Sequence, residues 1–165
     1  MKNILSVLAV AAVLFSCSQK EFDDVVPCTE TFVPEVEQFP QAWRLVKMTG
    51  SWTNTETTGE EMSWQELIEL KADNTFIKTR KQDGKTKEGT GTFTFSADPN
   101  DNAVTLTLTY SSGKELIASC VSVTDAELYY FRTKCKMIGT WSMCDGPGLE
   151  YERQLAGVDD AGEEK

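Results

Sequence analysis

The chain has 165 residues, and removal of a sixteen-residue export segment at its start leaves 149, about one domain. Lys and Arg number 16 against 26 Asp and Glu, a net charge of −10 that becomes −11 when Lys2 leaves with that segment. Such a surface repels phosphate backbones and excludes nucleic acid as a partner. Histidine is absent, which removes the usual base near neutral pH, the Ser-His-Asp and Cys-His nucleophilic pairs and the commonest metal ligand. The expectation is a protein that is not an enzyme and uses no cofactor or metal.

Met1-Lys2-Asn3, an apolar and small-residue run from Ile4 to Phe15, and then Ser16-Cys17 match a charged n-region and a short h-region. The run is shorter than the roughly 20 residues a membrane-spanning helix needs. Leu14-Phe15-Ser16-Cys17 resembles the bacterial lipobox, which implies cleavage after Ser16 and acylation, including palmitate, of Cys17. Several chains at about 0.8 kcal/mol per buried CH₂ hold a protein stably on a membrane. Ser18, standing where an aspartate would favour inner-membrane retention, points to the outer membrane. Gln19-Lys20-Glu21 with Asp23-Asp24 resembles the acidic export tags of Bacteroidota surface lipoproteins, the other reading being a solvated linker. The expected organisation is a signal peptide at 1–16, a lipidated N-terminus and flexible linker at 17–40 punctuated by Pro27, Pro34 and Pro40, a folded domain at 41–155, and an acidic disordered tail at 156–165.

Strands are expected in turn at 41–52, 62–72, 75–82, 87–97, 103–111, 114–123, 127–135 and 149–155. Within the second, Trp64, Leu67 and Ile68 suit a helix, whereas Trp64, Ile68 and Leu70 share a strand face; the strand–turn–strand look of 70–76 decides for strand. Asp83-Gly84 after the third is a type I′ hairpin signal, because both central residues accept positive φ. Thr92-Phe93-Thr94-Phe95 alternates, and Val104 to Tyr110 alternates strictly between apolar residues and threonines, as a half-buried strand requires. Each strand follows the last through a short turn. Joining first to last removes two exposed edges, so the expected fold is all-β, an eight-stranded antiparallel up-and-down barrel. Its bore is just wide enough to be filled by side chains or to hold one small ligand.

Five cysteines less the acylated Cys17 leave Cys28, Cys120, Cys135 and Cys144, an even set with three possible connectivities in an oxidising compartment. In the 114–123 strand Ile117, Val121 and Val123 share one face and Cys120 takes the other, where it meets a strap containing Cys28; Cys135 and Cys144 then staple the loop between the last two strands. The expected pairs are 28 with 120 and 135 with 144, with free thiols as the alternative.

Trp43-Arg44-Leu45-Val46, Gly50-Ser51-Trp52, Lys71 to Phe76, Gly89-Thr90-Gly91-Thr92-Phe93, Val104 to Leu108 and Tyr151-Glu152-Arg153 together make residues 42–154 resemble the lipocalin-like domains of Bacteroidota lipoproteins. The resemblance implies a tryptophan at the closed end of the barrel under a late arginine. Trp43 and Trp52 are candidates for the first, Arg132 and Arg153 for the second, and Gly139-Thr140-Trp141 is a second Gly-x-Trp triplet. It also implies a small hydrophobic ligand in the bore, with Trp64, Phe76, Phe93, Phe95, Leu106, Leu108, Tyr110 and Tyr130 as lining candidates; the same residues would equally fill a core. Lys78 and Arg80 share the Phe76 face, either beside an anionic head group or where the strand emerges into solvent. Glu60, Glu61, Glu66 and Glu69 read as solubilising charges, a catalytic carboxylate pair being the alternative, and Asp98 to Asn102 lacks the ligand spacing of an EF-hand. The expected function is a membrane-anchored, lipocalin-like envelope lipoprotein that binds a small hydrophobic ligand. The alternative is a protein-interaction module, an inhibitor or accessory subunit, with a filled barrel.

Overall fold

The computed structural model describes residues 28–34, 37–50, 55–99 and 103–154. The export segment, Cys17, Trp52 and the acidic tail lie outside the described residues. Nine strands form one sheet: β1 (Gln41–Thr49), β2 (Glu56–Thr58), β3 (Gln65–Leu70), β4 (Thr75–Gln82), β5 (Lys85–Ala97), β6 (Val104–Ser112), β7 (Ala126–Thr133), β8 (Lys136–Gly139) and β9 (Gly148–Gln154). From β3 to β9 each pairs antiparallel with the next, and β1 pairs with both β3 and β9. The result is a closed eight-stranded antiparallel barrel, with β2 added to the last residues of β1. Closure leaves the eight barrel strands without an unpaired edge strand.

Local chemistry accounts for the turns. Asp83 and Gly84 have φ of 51° and 70°, and Gln82 pairs with Lys85 across them, the two-residue hairpin that matches strand twist. Between β3 and β4, Asp73 Oδ1 accepts hydrogen bonds from the Thr75 amide at 3.1 Å and the Thr75 hydroxyl at 2.6 Å, while Asn74 takes φ 62°. At Gly91 a Cβ would stand 1.9 Å from the Thr109 carbonyl oxygen and 2.9 Å from the Phe76 ring, so only glycine lets β6 and the Phe76 side chain close in.

Inward positions follow the two-residue period: Trp43 and Leu45 on β1, Ile68 and Leu70 on β3, Phe76 on β4, Phe93 on β5, Leu106 and Leu108 on β6, Tyr129 on β7, Met137 on β8 and Tyr151 on β9, each 3 % exposed or less. The threonines of β6 point outward, half-buried or exposed.

Two expected elements differ. Residues 114–123 form no strand; a 3-10 turn at Lys114–Leu116 runs into irregular chain. Leu116 and Ala118 are buried at 1 % each and Val123 is 62 % exposed, so the expected shared face of Ile117, Val121 and Val123 is not a sheet face. Their backbone finds partners other than a ladder: the Leu116 carbonyl accepts from Lys78 and Arg80, and the Ala118 amide donates to Glu127. The eighth barrel strand is instead β8, only four residues long, in a region expected to be a loop.

Because the chain runs up and down, its connections alternate between ends. At one end lie residues 28–34 and 37–40, the β3–β4 and β5–β6 connections and the β7–β8 turn; at the other lie the β1–β3 passage, the β4–β5 turn, and the β6–β7 and β8–β9 loops. The disulfides obey this parity. Cys28 pairs with Cys135, and Cys120 with Cys144, which corrects the expected pairing of 28 with 120 and 135 with 144. Each expected bridge joins opposite ends of the barrel, whereas each observed one staples a single end.

Candidate functional site

The first end is filled mainly by aromatic side chains, with one ion pair, Glu37–Arg153, beside them. Residues 28–34 and 37–40, the last part of the stretch expected as linker, pack across it as a strap. Phe32 stacks on Phe131 with centroids 3.7 Å apart and meets Trp43 edge-on at 6.3 Å, and Phe39 lies against Phe93 and Phe95. Trp43, fully buried, donates from Nε1 to Gln41 at 3.1 Å. Its cross-strand partner is Arg153, whose guanidinium pairs with Glu37 and reaches the Gln38 carbonyl at 3.3 Å. Of the barrel-closing candidates, then, Trp43 and Arg153 come together, Arg132 is exposed on the outside of β7, and Trp52 lies outside the described residues.

At the second end the same inward rows turn polar. Lys78 follows Phe76 on β4 and is wholly buried; its Nζ lies 2.8 Å from Glu66 Oε1, 2.8 Å from each oxygen of Glu127, 3.1 Å from the Tyr129 hydroxyl and 3.3 Å from the Leu116 carbonyl. Arg80, one inward step further, donates from Nε to Glu66 Oε2 at 2.7 Å and from Nη2 to the Leu116 carbonyl at 3.0 Å, and its guanidinium lies 4.7 Å from the Trp64 ring centre. Tyr151 donates to Glu66 at 2.7 Å and Tyr110 donates to Glu127. Two carboxylates and two cations cancel, and the carboxylates take hydrogen bonds from their neighbours as well as ion pairs, the condition under which buried charge is tolerated.

Electrostatics follow from this geometry. Burial alone would push the Glu66 carboxyl up, but Lys78 and Arg80, with the Tyr151 hydroxyl, outweigh it and hold it below its ordinary value. The Tyr110, Tyr129 and Tyr151 hydroxyls are held above theirs, first by burial and then by the adjoining carboxylates, so all three stay protonated. Burial works against the Arg80 charge, yet Glu66 raises its pKa.

Ile117, Trp64 and Trp141 pack over the network from the loops, the two indoles 6.3 Å apart. The β6–β7 and β8–β9 loops that carry Ile117 and Trp141 are held together by Cys120–Cys144, and Thr140 joins them again through Ser119 at 2.8 Å and the Cys120 amide at 3.2 Å.

Among the lining candidates, Phe76, Phe93, Leu106, Leu108 and Tyr110 are inward and buried, with Phe95 and Trp64 half-buried at the two ends. Tyr130 does not line the bore. It alternates with the inward Tyr129 and Phe131 and lies on the outer face opposite Thr105 and Ile138. Of the acidic group, Glu66 alone is inward; Glu60, Glu61 and Glu69 are exposed. Glu127 and Tyr129 were not singled out by the sequence, and Tyr151 only within the Tyr151-Glu152-Arg153 segment. The available signal was Lys78: an inward lysine needs a buried carboxylate, and Glu127 sits on the face opposite Tyr130 in the two-residue period.

Trp43, Ile68, Leu70, Lys78, Leu106, Leu108, Tyr129, Met137 and Tyr151 show no exposed surface, so no water-sized void adjoins them. Recesses open instead on the outer surface and at the rims: about 190 Å³ between β1, β3 and β4 beside Leu67, about 220 Å³ on the β4–β5 ribbon at the rim, and about 440 Å³ beside Cys28–Cys135. Searches against family models, curated proteins and solved structures return no match to this chain.

Proposed function

We propose that the protein is a lipid-anchored, lipocalin-like component of the bacterial outer membrane that works as an interaction module, binding through its outer surface and rims while the bore serves as a rigid scaffold. One observation carries this reading: the bore is occupied along its length by the protein's own side chains, apolar at the strap end and charge-balanced at the other. A ligand in the bore would have to displace either the Phe32–Phe131 stack or a network whose charges already cancel, and leaving one buried charge unpaired costs several kcal/mol. The lipobox-like Cys17 supports the anchor. Because Cys28 belongs to the strap end, a tether from Cys17 would enter the folded domain at that end.

The test is native mass spectrometry after mild extraction, together with affinity isolation under the same conditions. The expected result is protein free of small molecules, accompanied by a stoichiometric protein partner. A co-extracted hydrophobic molecule would overturn the filled-scaffold reading in favour of a ligand-carrying barrel. Cys17→Ala is expected to move the protein from the membrane to the soluble fraction; unchanged membrane association would remove the anchor.

A further inference from the structure

The β4–β5 hairpin outgrows its neighbours. The last β3 contact of β4 is at Lys81, opposite Gln65, and the first β6 contact of β5 is at Thr90, opposite Ser112, so residues 82–89 form a two-stranded ribbon without a flanking strand on either side. The inward row of the barrel continues along one face of this ribbon. Past Phe76 and Lys78 it presents Arg80 and Gln82 on β4, facing Lys87 and Lys85 on β5. Arg80 and Lys87 are direct cross-strand partners, and like charges so placed destabilise a hairpin. Among the described residues no ion pair holds Lys85 or Lys87, and both are exposed. The fold does not need this arrangement, and in a chain of net charge −10 it stands out.

These cations converge on one recess. Arg80, Gln82, Asp83, Lys85 and Lys87 line a concavity of about 220 Å³ at the barrel rim. Arg80 is not a mobile surface group there: Glu66, the Leu116 carbonyl and the Trp64 ring hold its guanidinium in place. The recess therefore combines one fixed planar cation with two free ammonium groups and an amide. The opposing charges are Asp83 at the turn and Glu66, which pairs with Arg80 from behind.

We infer that this rim recess binds a phosphate ester, carried either on a soluble molecule or on a lipid headgroup. A tetrahedral dianion accepts from several donors at once, which suits a guanidinium edge with two lysines better than a lone carboxylate would. The site extends the reading of a module that binds at its surface. Its outcome is separable from that reading: an apolar molecule found in the bore would overturn the scaffold and leave the recess untouched.

The test uses the isotope-labelled mature chain with both disulfides formed, in micelles of neutral headgroup, titrated with inorganic pyrophosphate and separately with short-chain phosphatidylglycerol. The backbone amides of residues 80–88 are expected to shift saturably with pyrophosphate, and K85Q/K87Q is expected to weaken binding by about a hundredfold, the scale of two charge-assisted hydrogen bonds. Both substitutions are on the exposed ribbon and leave the Arg80–Glu66 pair intact. Binding of both probes assigns the ester whatever carries it, and binding of pyrophosphate alone assigns a soluble source. Shifts that sodium chloride reproduces at equal ionic strength, or an unchanged affinity in K85Q/K87Q, would overturn the site.

Discussion

The two ends of this barrel solve one problem with different physics. At the strap end Phe32, Phe39, Trp43, Phe93, Phe95 and Phe131 fill the bore by shape and area, and their attraction is non-directional. At the capped end Glu66, Lys78, Arg80, Glu127 and three tyrosines fill it by directed bonds, and the cap is located by them: the Leu116 carbonyl and Ala118 amide find their partners on inward side chains. An apolar plug tolerates substitutions that keep volume. A buried charge network tolerates none that leaves a partner behind. The difference explains how a ten-residue stretch without ladder pairing stays ordered on top of the barrel.

The largest separable effect is expected from the covalent staples. Cys28 and Cys135 close a span of 107 residues and Cys120 and Cys144 one of 24; loop-closure entropy puts their loss at about 4.7 kcal/mol and about 3.5 kcal/mol respectively. Denaturant unfolding of the two double alanine variants should rank them in that order, and the reverse order would show that the caps hold themselves without help at the strap end only.

Next, Lys78→Met leaves Glu66 and Glu127 facing each other without their shared cation and is expected to cost about 3–5 kcal/mol. Trp43→Ala should cost about as much through its cavity. The two variants separate by pH. The K78M penalty should shrink in acid, where Glu66 takes up a proton, while the Trp43 penalty should not change; parallel profiles would contradict the contrast between the ends.

In the parent chain the capped end sets the pH limits. Glu66 titrates below its ordinary 4.5 in the fold, so its contribution is complete above that value and fades as pH falls through the lowered one. The buried tyrosines titrate above their ordinary 10, so their contribution is complete below pH 10 and is lost as pH rises beyond it. Thermal melts across pH should fall away on both sides, and the acid arm should flatten in Glu66→Gln. The smallest of these effects is Tyr151→Phe, which removes one donor to Glu66 and is expected to cost about 1–3 kcal/mol by chemical denaturation.

Much of the barrel is readable locally. The β6 threonine alternation, the Asp83-Gly84 turn and the Trp64 to Leu70 parity each report their own strand, because side-chain period and turn φ are short-range properties. β8 is not readable, since four residues carry too little periodicity. Residues 114–123 misled for the opposite reason: they have enough β-branched and apolar residues for a strand, but an inward lysine and arginine claim the Leu116 carbonyl. Tyr130 was placed one step out of register because a tyrosine suits a lining position as well as an outer one, and only pairing with β6 and β8 separates it from Tyr129.

Composition and alternation alone therefore settled a β-rich chain of sequential antiparallel strands long enough to close, with Lys78 and Arg80 on the same face as Phe76. Tertiary structure decided which strand completes the ring, which cysteines meet and what neutralises the inward cations. The reason is range: period and turn propensity act over two to four residues, whereas Lys78 and Glu127 are 49 positions apart and Cys28 and Cys135 are 107, and only closure of the barrel brings them together.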